Sequence, residues 1–149
     1  MRAVAERIPI GADHAGFQLK ERLKQELARL GYEPVDVGTH STESTDYPDY
    51  AKPVAEQVSS GQARRGVLLC GTGLGMSYAA NRYPRVRAAV AWSAEVAELA
   101  RHHNDANVLV VPARFVGEAL GVEILHRWLE APYDGGRHDR RIAKIERDA

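Results

Sequence analysis

A strand that runs straight into a glycine loop limits the fold of this chain more than any other stretch. Val67–Gly75 reads V-L-L-C-G-T-G-L-G: an apolar run, a cysteine, then glycines at 71, 73 and 75. An apolar run without polar alternation suits a strand buried on both faces, the kind found in parallel sheets. Lacking Cβ atoms, Gly71, Gly73 and Gly75 let backbone N–H groups converge on an oxyanion or phosphate. Met76–Arg82 can follow as a helix whose N-terminal dipole adds to that attraction. The same glycines would also serve a plain strand-to-helix turn, so the loop alone assigns no function.

The rest of the chain repeats this strand-then-helix pattern. Val4–Ile10 is a candidate first strand, although Arg7 and Pro9 are unusual in the interior of a parallel sheet. Gly11–Gly16 breaks it, and Leu19, Leu23, Leu27 and Leu30 mark one helical face as far as Gly31. Tyr32–Val37 makes a second strand. Gly38–Asp49 is a polar loop of functional length, and Pro48 opens a helix carrying Ala51, Val54, Ala55 and Val58. Pro84–Trp92 supplies a fourth strand, with Ser93 placed to cap a helix on which Val96, Leu99, Ala100 and His103 share a face. Asn107–Val111 is the fifth strand, and Val116, Leu120, Ile124 and Trp128 mark the helix after it. Five such units predict a Rossmann-like three-layer α/β/α fold, a five-stranded parallel, doubly wound sheet with a C-terminal helix. A chain of 149 residues suits a single domain over residues 1–149.

Open α/β sheets place ligands beyond the carboxyl ends of their strands, so the residues there are the first candidates. Asp13 and His14 follow the first strand, Tyr47 lies in the polar loop, and Arg114 stands just past the fifth strand. The run Arg101-His-His-Asn-Asp105 is denser in proton-transfer groups than a helix end requires, which marks His103 and Asn104. Arg137 and Arg141 sit one helical turn apart, facing the same way, beside an apolar stripe of Ile142 and Ile145 that could dock the segment. Each has a plainer reading. Asp13 could be an N-cap, His14 a turn residue, His103 a helix-end cation and the last segment a solvated basic helix.

Charge and motif tests narrow the function. With 20 basic and 20 acidic side chains there is no global field to attract nucleic acid or a membrane, so a charged ligand must be gripped locally. The single cysteine forms no internal disulfide, and no N-terminal apolar run resembles a signal peptide or a membrane span, which suggests a cytoplasmic protein. The dinucleotide fingerprint needs glycine where Met76 stands, and a P-loop needs a lysine in a stretch that has none between Lys52 and Lys144. The Cys-x5-Arg phosphatase pattern would need arginine at that same Met76. The histidines lack the spacing of a closed metal site, so no metal is expected.

Five ordered motifs carry a resemblance: Gly11-x-Asp-His-Ala-Gly16, Asp46-Tyr-Pro48, Cys70-Gly-Thr-Gly-x-Gly75, His103-Asn104 and Gly136-Arg-His138. Together they resemble the ribose-5-phosphate isomerase B family, which also contains allose-6-phosphate and galactose-6-phosphate isomerases. The resemblance implies a Rossmann-like sheet, a homodimer or dimer of dimers with shared sites, no cofactor or metal, and interconversion of ribose 5-phosphate with ribulose 5-phosphate. It implies Cys70 as the base between C1 and C2, and His103 as the acid/base that opens the furanose ring. Asp13 and Tyr47 would assist at the sugar hydroxyls, and Thr72 and Asn104 would orient the sugar. The N–H groups of Gly71, Thr72, Gly73, Leu74 and Gly75 would hold the enediolate oxygen, and His14, Arg114, Arg137 and Arg141 the phosphate. A glutamate-dependent branch of the family lacks the cysteine; Cys70 places this chain in the other.

The chemistry needed by an aldose–ketose shift agrees with these residue types. It takes a base beside the carbon acid and fixed donors where oxygen becomes negative. A thiolate favoured by N–H dipoles can be that base, or a nucleophile. The competing expectations are a hexose 6-phosphate isomerase and a non-catalytic phosphosugar-binding module, the latter needing the cradle and arginines but neither Cys70 nor His103.

Overall fold

The computed structural model describes residues 4–146. In chain order these form β1 (Arg7–Ala12), α1 (Phe17–Arg29), β2 (Glu33–Asp36), α2 (Pro48–Ser59), β3 (Gly66–Cys70) and α3 (Leu74–Ala80). There follow β4 (Ala88–Val90), α4 (Ala94–Asn104), β5 (Val108–Pro112), α5 (Glu118–Glu130) and α6 (Arg137–Glu146). All strand pairs are parallel, in the order β2-β1-β3-β5-β4. The chain therefore winds outward to one side through β2, crosses to β3, and continues to the other.

Period-two alternation within the strands sorts the core into two layers. Ile8, Ile10, Ala12, Val67, Leu69, Leu109 and Val111 face α1 and α5, where Leu23, Leu27, Ile124, Leu125 and Trp128 cover them. Leu68, Cys70, Val108 and Val110 face the other way, onto Val54, Val58, Met76 and Ala80 of α2 and α3. Burying such side chains stabilises by roughly 1.5–3 kcal/mol each. The Trp128 indole N–H donates to the Ala106 carbonyl at 3.1 Å, so the largest core side chain leaves no polar atom unpaired.

Several boundaries differ from those the sequence suggests. β1 begins at Arg7 and runs on to Ala12, and its register with β3 starts at Ile10↔Val67. Pro9 therefore precedes that ladder, and its missing N–H breaks no pairing there. α3 begins at Leu74 because Gly73, at φ 78°, takes the left-handed cap conformation that ends the loop. β4 is only Ala88–Val90, at the sheet edge; the residues before it turn through Arg85 at φ 66°, and Trp92 beyond it is exposed. Leu30 and Leu99 lie on the outer side of their helices and are exposed as well, so the predicted apolar faces are narrower than drawn.

The polar loop after β2 is anchored at its root. Lys20, fully buried on α1, donates to both carboxylate oxygens of Asp36 at 2.8 Å; Lys24 also reaches Asp36 at 2.8 Å, and the Gly38 N–H does so at 2.9 Å. Burial works against the Asp36 charge, but these donors outweigh it and hold its pKa at about 2.

Candidate active site

β1 and β3 are neighbours on which the chain turns in opposite directions, so their carboxyl ends flank the crevice where such sheets bind ligands. Cys70 closes β3 there, 5% exposed at the floor of the crevice. The loop behind it is held from two sides. The Ala113 N–H donates to the Cys70 carbonyl at 2.9 Å and the Arg114 N–H to the Gly71 carbonyl at 3.0 Å, tying the loop to the end of β5. The Leu74 N–H is taken by Thr72 Oγ1 at 3.2 Å. Among the described residues the N–H groups of Gly71, Thr72 and Gly73 have no protein acceptor, so they are free to meet an oxyanion.

Glycine is required here for close approach. The Arg114 side chain crosses Gly71 so tightly that a Cβ would lie 3.1 Å from its Cδ and Nη1. The Tyr47 ring lies on Gly75, where a Cβ would lie 2.5 Å from its Cε1. Asp13 is buried, and its carboxylate accepts from the N–H groups of Ala15 at 3.0 Å and Gly16 at 3.2 Å. That is the capping role sequence leaves open, although Gly16 rather than Asp13 is the N-cap of α1. His14 reaches into the polar loop: its N–H donates to Thr45 Oγ1 at 3.2 Å and its Nδ1 accepts from the Thr45 N–H at 3.1 Å. Thr45 gave no periodic signal in sequence, yet it is the residue that draws the Tyr47 loop over the crevice.

The other predicted residues gather elsewhere. His103 and Asn104 end α4, beside the start of the sheet: the Asn104 carbonyl accepts from Arg87 Nε, just before β4, and the Asn107 carbonyl accepts from Gly66 N–H, the first residue of β3. Cys70 lies at the far end of β3, about 13 Å away at roughly 3.3 Å per residue. The His103 ring stacks on His138 of α6, centroids 4.7 Å apart and planes 16° from parallel. Arg137 and Arg141 flank that stack and are exposed. Burial, His103, Arg137 and Arg141 together push the His138 pKa below its usual value, against an opposing effect of Asp134. Ile145 is largely exposed and Ile142 only half-buried, so α6 docks through His138 rather than through the expected isoleucine stripe.

The predicted residues thus fall into two groups: Cys70 with its glycine loop, Asp13, His14, Tyr47 and Arg114 at one edge, and His103, Asn104, Arg137 and Arg141 at the other. One ligand-type atom from each of His103, Asp134 and His138 lies within 4.8 Å of the others, but near-parallel rings aim their lone pairs past one another instead of at one ion. A cavity of about 430 Å³ opens beside Arg85, Arg87 and Arg101. Those arginines are occupied by Ser59, Asp105, Glu146 and Ala106, which makes it an ion-pair network rather than a second pocket. No described helix is long and apolar enough to cross a membrane.

A doubly wound parallel sheet, a thiol at its switch point and a glycine loop with free N–H groups define an α/β protein whose strand ends bring a thiol and unpaired backbone donors together. The chain belongs to the ribose/galactose isomerase family, whose pattern it matches over residues 8–145. It is 46% identical to ribose-5-phosphate isomerase B of Escherichia coli over 140 residues, 94% of each chain. It also superposes on a ribose 5-phosphate isomerase of Thermotoga maritima with a TM-score of 0.92 at 53% identity, covering 95% of this chain and 98% of that one. The ribose-5-phosphate isomerase B of Mycoplasma genitalium with bound ribulose-5-phosphate matches with a TM-score of 0.93 at 39% identity, covering 98% and 97%.

Proposed function

We propose that this protein is a cytoplasmic ribose-5-phosphate isomerase, one domain per chain, that works as a homodimer or dimer of dimers with shared sites and interconverts D-ribose 5-phosphate and D-ribulose 5-phosphate. The observation that carries the reading is the placement of the Cys70 thiol beside the unclaimed N–H groups of Gly71, Thr72 and Gly73. The names of the similar proteins supply the sugar. In the open-chain aldose, the Cys70 thiolate takes the C2 proton, the electron pair forms the C1=C2 bond, and O1 becomes negative against the free N–H groups of Gly71, Thr72 and Gly73. The hydroxyl proton of O2 then passes to O1, Cys70 returns its proton to C1, and the C1=C2 pair moves back as C2=O2 forms, which gives the ketose. Asp13 and Tyr47 assist at the hydroxyls, Thr72 and Asn104 orient the sugar, and His103 opens the furanose ring.

One strand length separates Cys70 from His103, too far for one substrate to meet both within a chain. A two-fold partner resolves this by supplying His103, Arg137 and Arg141 to the crevice that holds Cys70, His14 and Arg114, so the phosphate is clamped from both subunits. Turnover is to be measured for ribose, allose and galactose phosphates with EDTA present. Conversion of ribose 5-phosphate, lost in Cys70→Ala while binding persists, is the expected result. Preference for a hexose 6-phosphate would change the substrate, and binding without any turnover would make the protein a phosphosugar-binding module.

A further inference from the structure

We infer that His138 is a positioning residue for ring opening: its imidazole stacks on His103 and fixes the plane in which His103 exchanges a proton with the sugar ring. This rests on the isomerase reading. His103 ends α4, and a residue on the last turn of a helix has little of its own chain to hold its ring. The structure supplies the missing wall from α6. His138 is 8% exposed and lies 4.7 Å from His103, centroid to centroid, at 16°. Gly135 and Gly136, at φ 68° and 62°, form the left-handed turn that brings His138 back onto α4, and the His138 N–H donates to the Gly135 carbonyl at 3.3 Å.

The same turn is clamped one residue away on each strand of contact. The Asp134 N–H donates to the His102 carbonyl at 3.0 Å, and the Asp134 carboxylate meets His102 Nδ1 at 2.8 Å. Two adjacent histidines of α4 thus hold the chain on either side of the turn, His102 through Asp134 before it and His103 through His138 after it. Burial, with His103, Arg137 and Arg141 nearby, lowers the His138 pKa and so favours its uncharged ring. A neutral ring stacked on His103 adds no repulsion when His103 takes up a proton from the sugar. Arg137 and Arg141 leave the same helix toward solvent, so the residue that positions His103 is fixed on the element that carries the phosphate clamp.

Ring opening and proton transfer can be measured apart. Ribulose 5-phosphate cannot close a furanose ring, because its O5 carries the phosphate. In D2O, Cys70 can remove a C1 proton from it, place the electron pair in the C1=C2 bond, and return a deuteron to C1 with no ring step. His138→Ala is expected to lower turnover of ribose 5-phosphate roughly 10- to 100-fold, while C1 deuterium exchange into ribulose 5-phosphate stays within about twofold of wild type. His138→Phe, which keeps a flat ring against His103, should regain most of the lost turnover. Equal turnover for the Phe and Ala variants, or exchange that falls in step with turnover, would overturn the positioning role. Wild-type protein that shows neither exchange nor turnover would remove the isomerase reading itself, and exchange that survives in Cys70→Ala would remove only the base assignment.

Discussion

The Tyr47 ring occupies the space that a side chain at residue 75 would need, with a Gly75 Cβ 2.5 Å from its Cε1. The glycine loop and the polar loop after β2 therefore meet at one contact over the crevice. Gly75→Ala should displace Tyr47 and lower turnover roughly 10- to 100-fold, the scale expected when a positioning group moves by about 1 Å. In a Tyr47→Ala background the ring contact is gone, and the same alanine should cost little more. A double-mutant cycle on kcat/KM checks this, and additive losses would show that the contact is not the cause.

Cys70 and Arg141 belong to opposite edges of the chain, so inactive Cys70→Ala and Arg141→Ala subunits should complement. A mixed dimer has one site with both defects and one intact. After random exchange, half the dimers are mixed, and activity should recover to roughly a quarter of wild type. Mixtures shown by mass spectrometry to have exchanged, yet still inactive, would place both residues in one subunit's site.

Gly16 packs against the backbone of Leu69, where a Cβ would lie 2.7 Å from the Leu69 Cβ and 2.9 Å from its carbonyl oxygen. Backbone cannot swing aside as a side chain can. Gly16→Ala should push α1 off β3 and destabilise by about 1–3 kcal/mol, seen as a lower urea midpoint at unchanged m.

Lys20→Ala removes a fully buried cation from Asp36 but leaves Lys24 and the Gly38 N–H in place. The loss should be about 2–3 kcal/mol, below the range for a wholly buried pair that loses one partner. The Asp36 pKa is depressed from 3.8 to about 2, so its contribution is present above pH 3.8 and is lost as pH falls through 2. Urea melts across that window should show a shallower acid slope in Lys20→Ala than in wild type.

His102 has the opposite sign. Its pKa is raised, chiefly by Asp134 and also by Glu98, against burial. Its contribution to stability is complete below about 6.5 and is lost as pH rises through the raised value. Proton NMR of the histidine ring should find His102 titrating above 6.5, and Asp134→Asn should bring it down. An unchanged His102 titration in that variant would show that the clamp on the turn is not formed.

The strand and helix pattern was legible because it is local. Apolar runs, period-3.6 leucines and glycine stops each report on their own few residues, so five strands and their helices could be read in order. Boundaries slipped where backbone conformation, not hydrophobicity, sets the end. Gly73 starts α3 two residues early by taking a left-handed φ, and Arg85 does the same work ahead of β4, leaving a strand of three residues from an expected one three times as long. Cys70, Asp13, His14 and Arg114 could be picked out because each follows a strand, which is where a parallel sheet opens.

Thr45 had no such signal, and His138 was marked only by its place in the Gly136-Arg-His138 motif. Each acts through a partner distant in sequence, His138 on His103 and Thr45 on His14, and neither interrupts a periodic pattern. By itself the sequence determined a parallel α/β chain with a thiol and a glycine cradle at the end of a central strand, since those follow from residue types a few positions apart. Only the tertiary structure decided that His103, Arg137 and Arg141 gather at the opposite edge of the sheet from Cys70. The reason is geometric: in a parallel sheet a helix returns the chain to the start of the next strand, so a residue ending α4 lies one strand length from a residue ending β3, however the two are spaced in sequence.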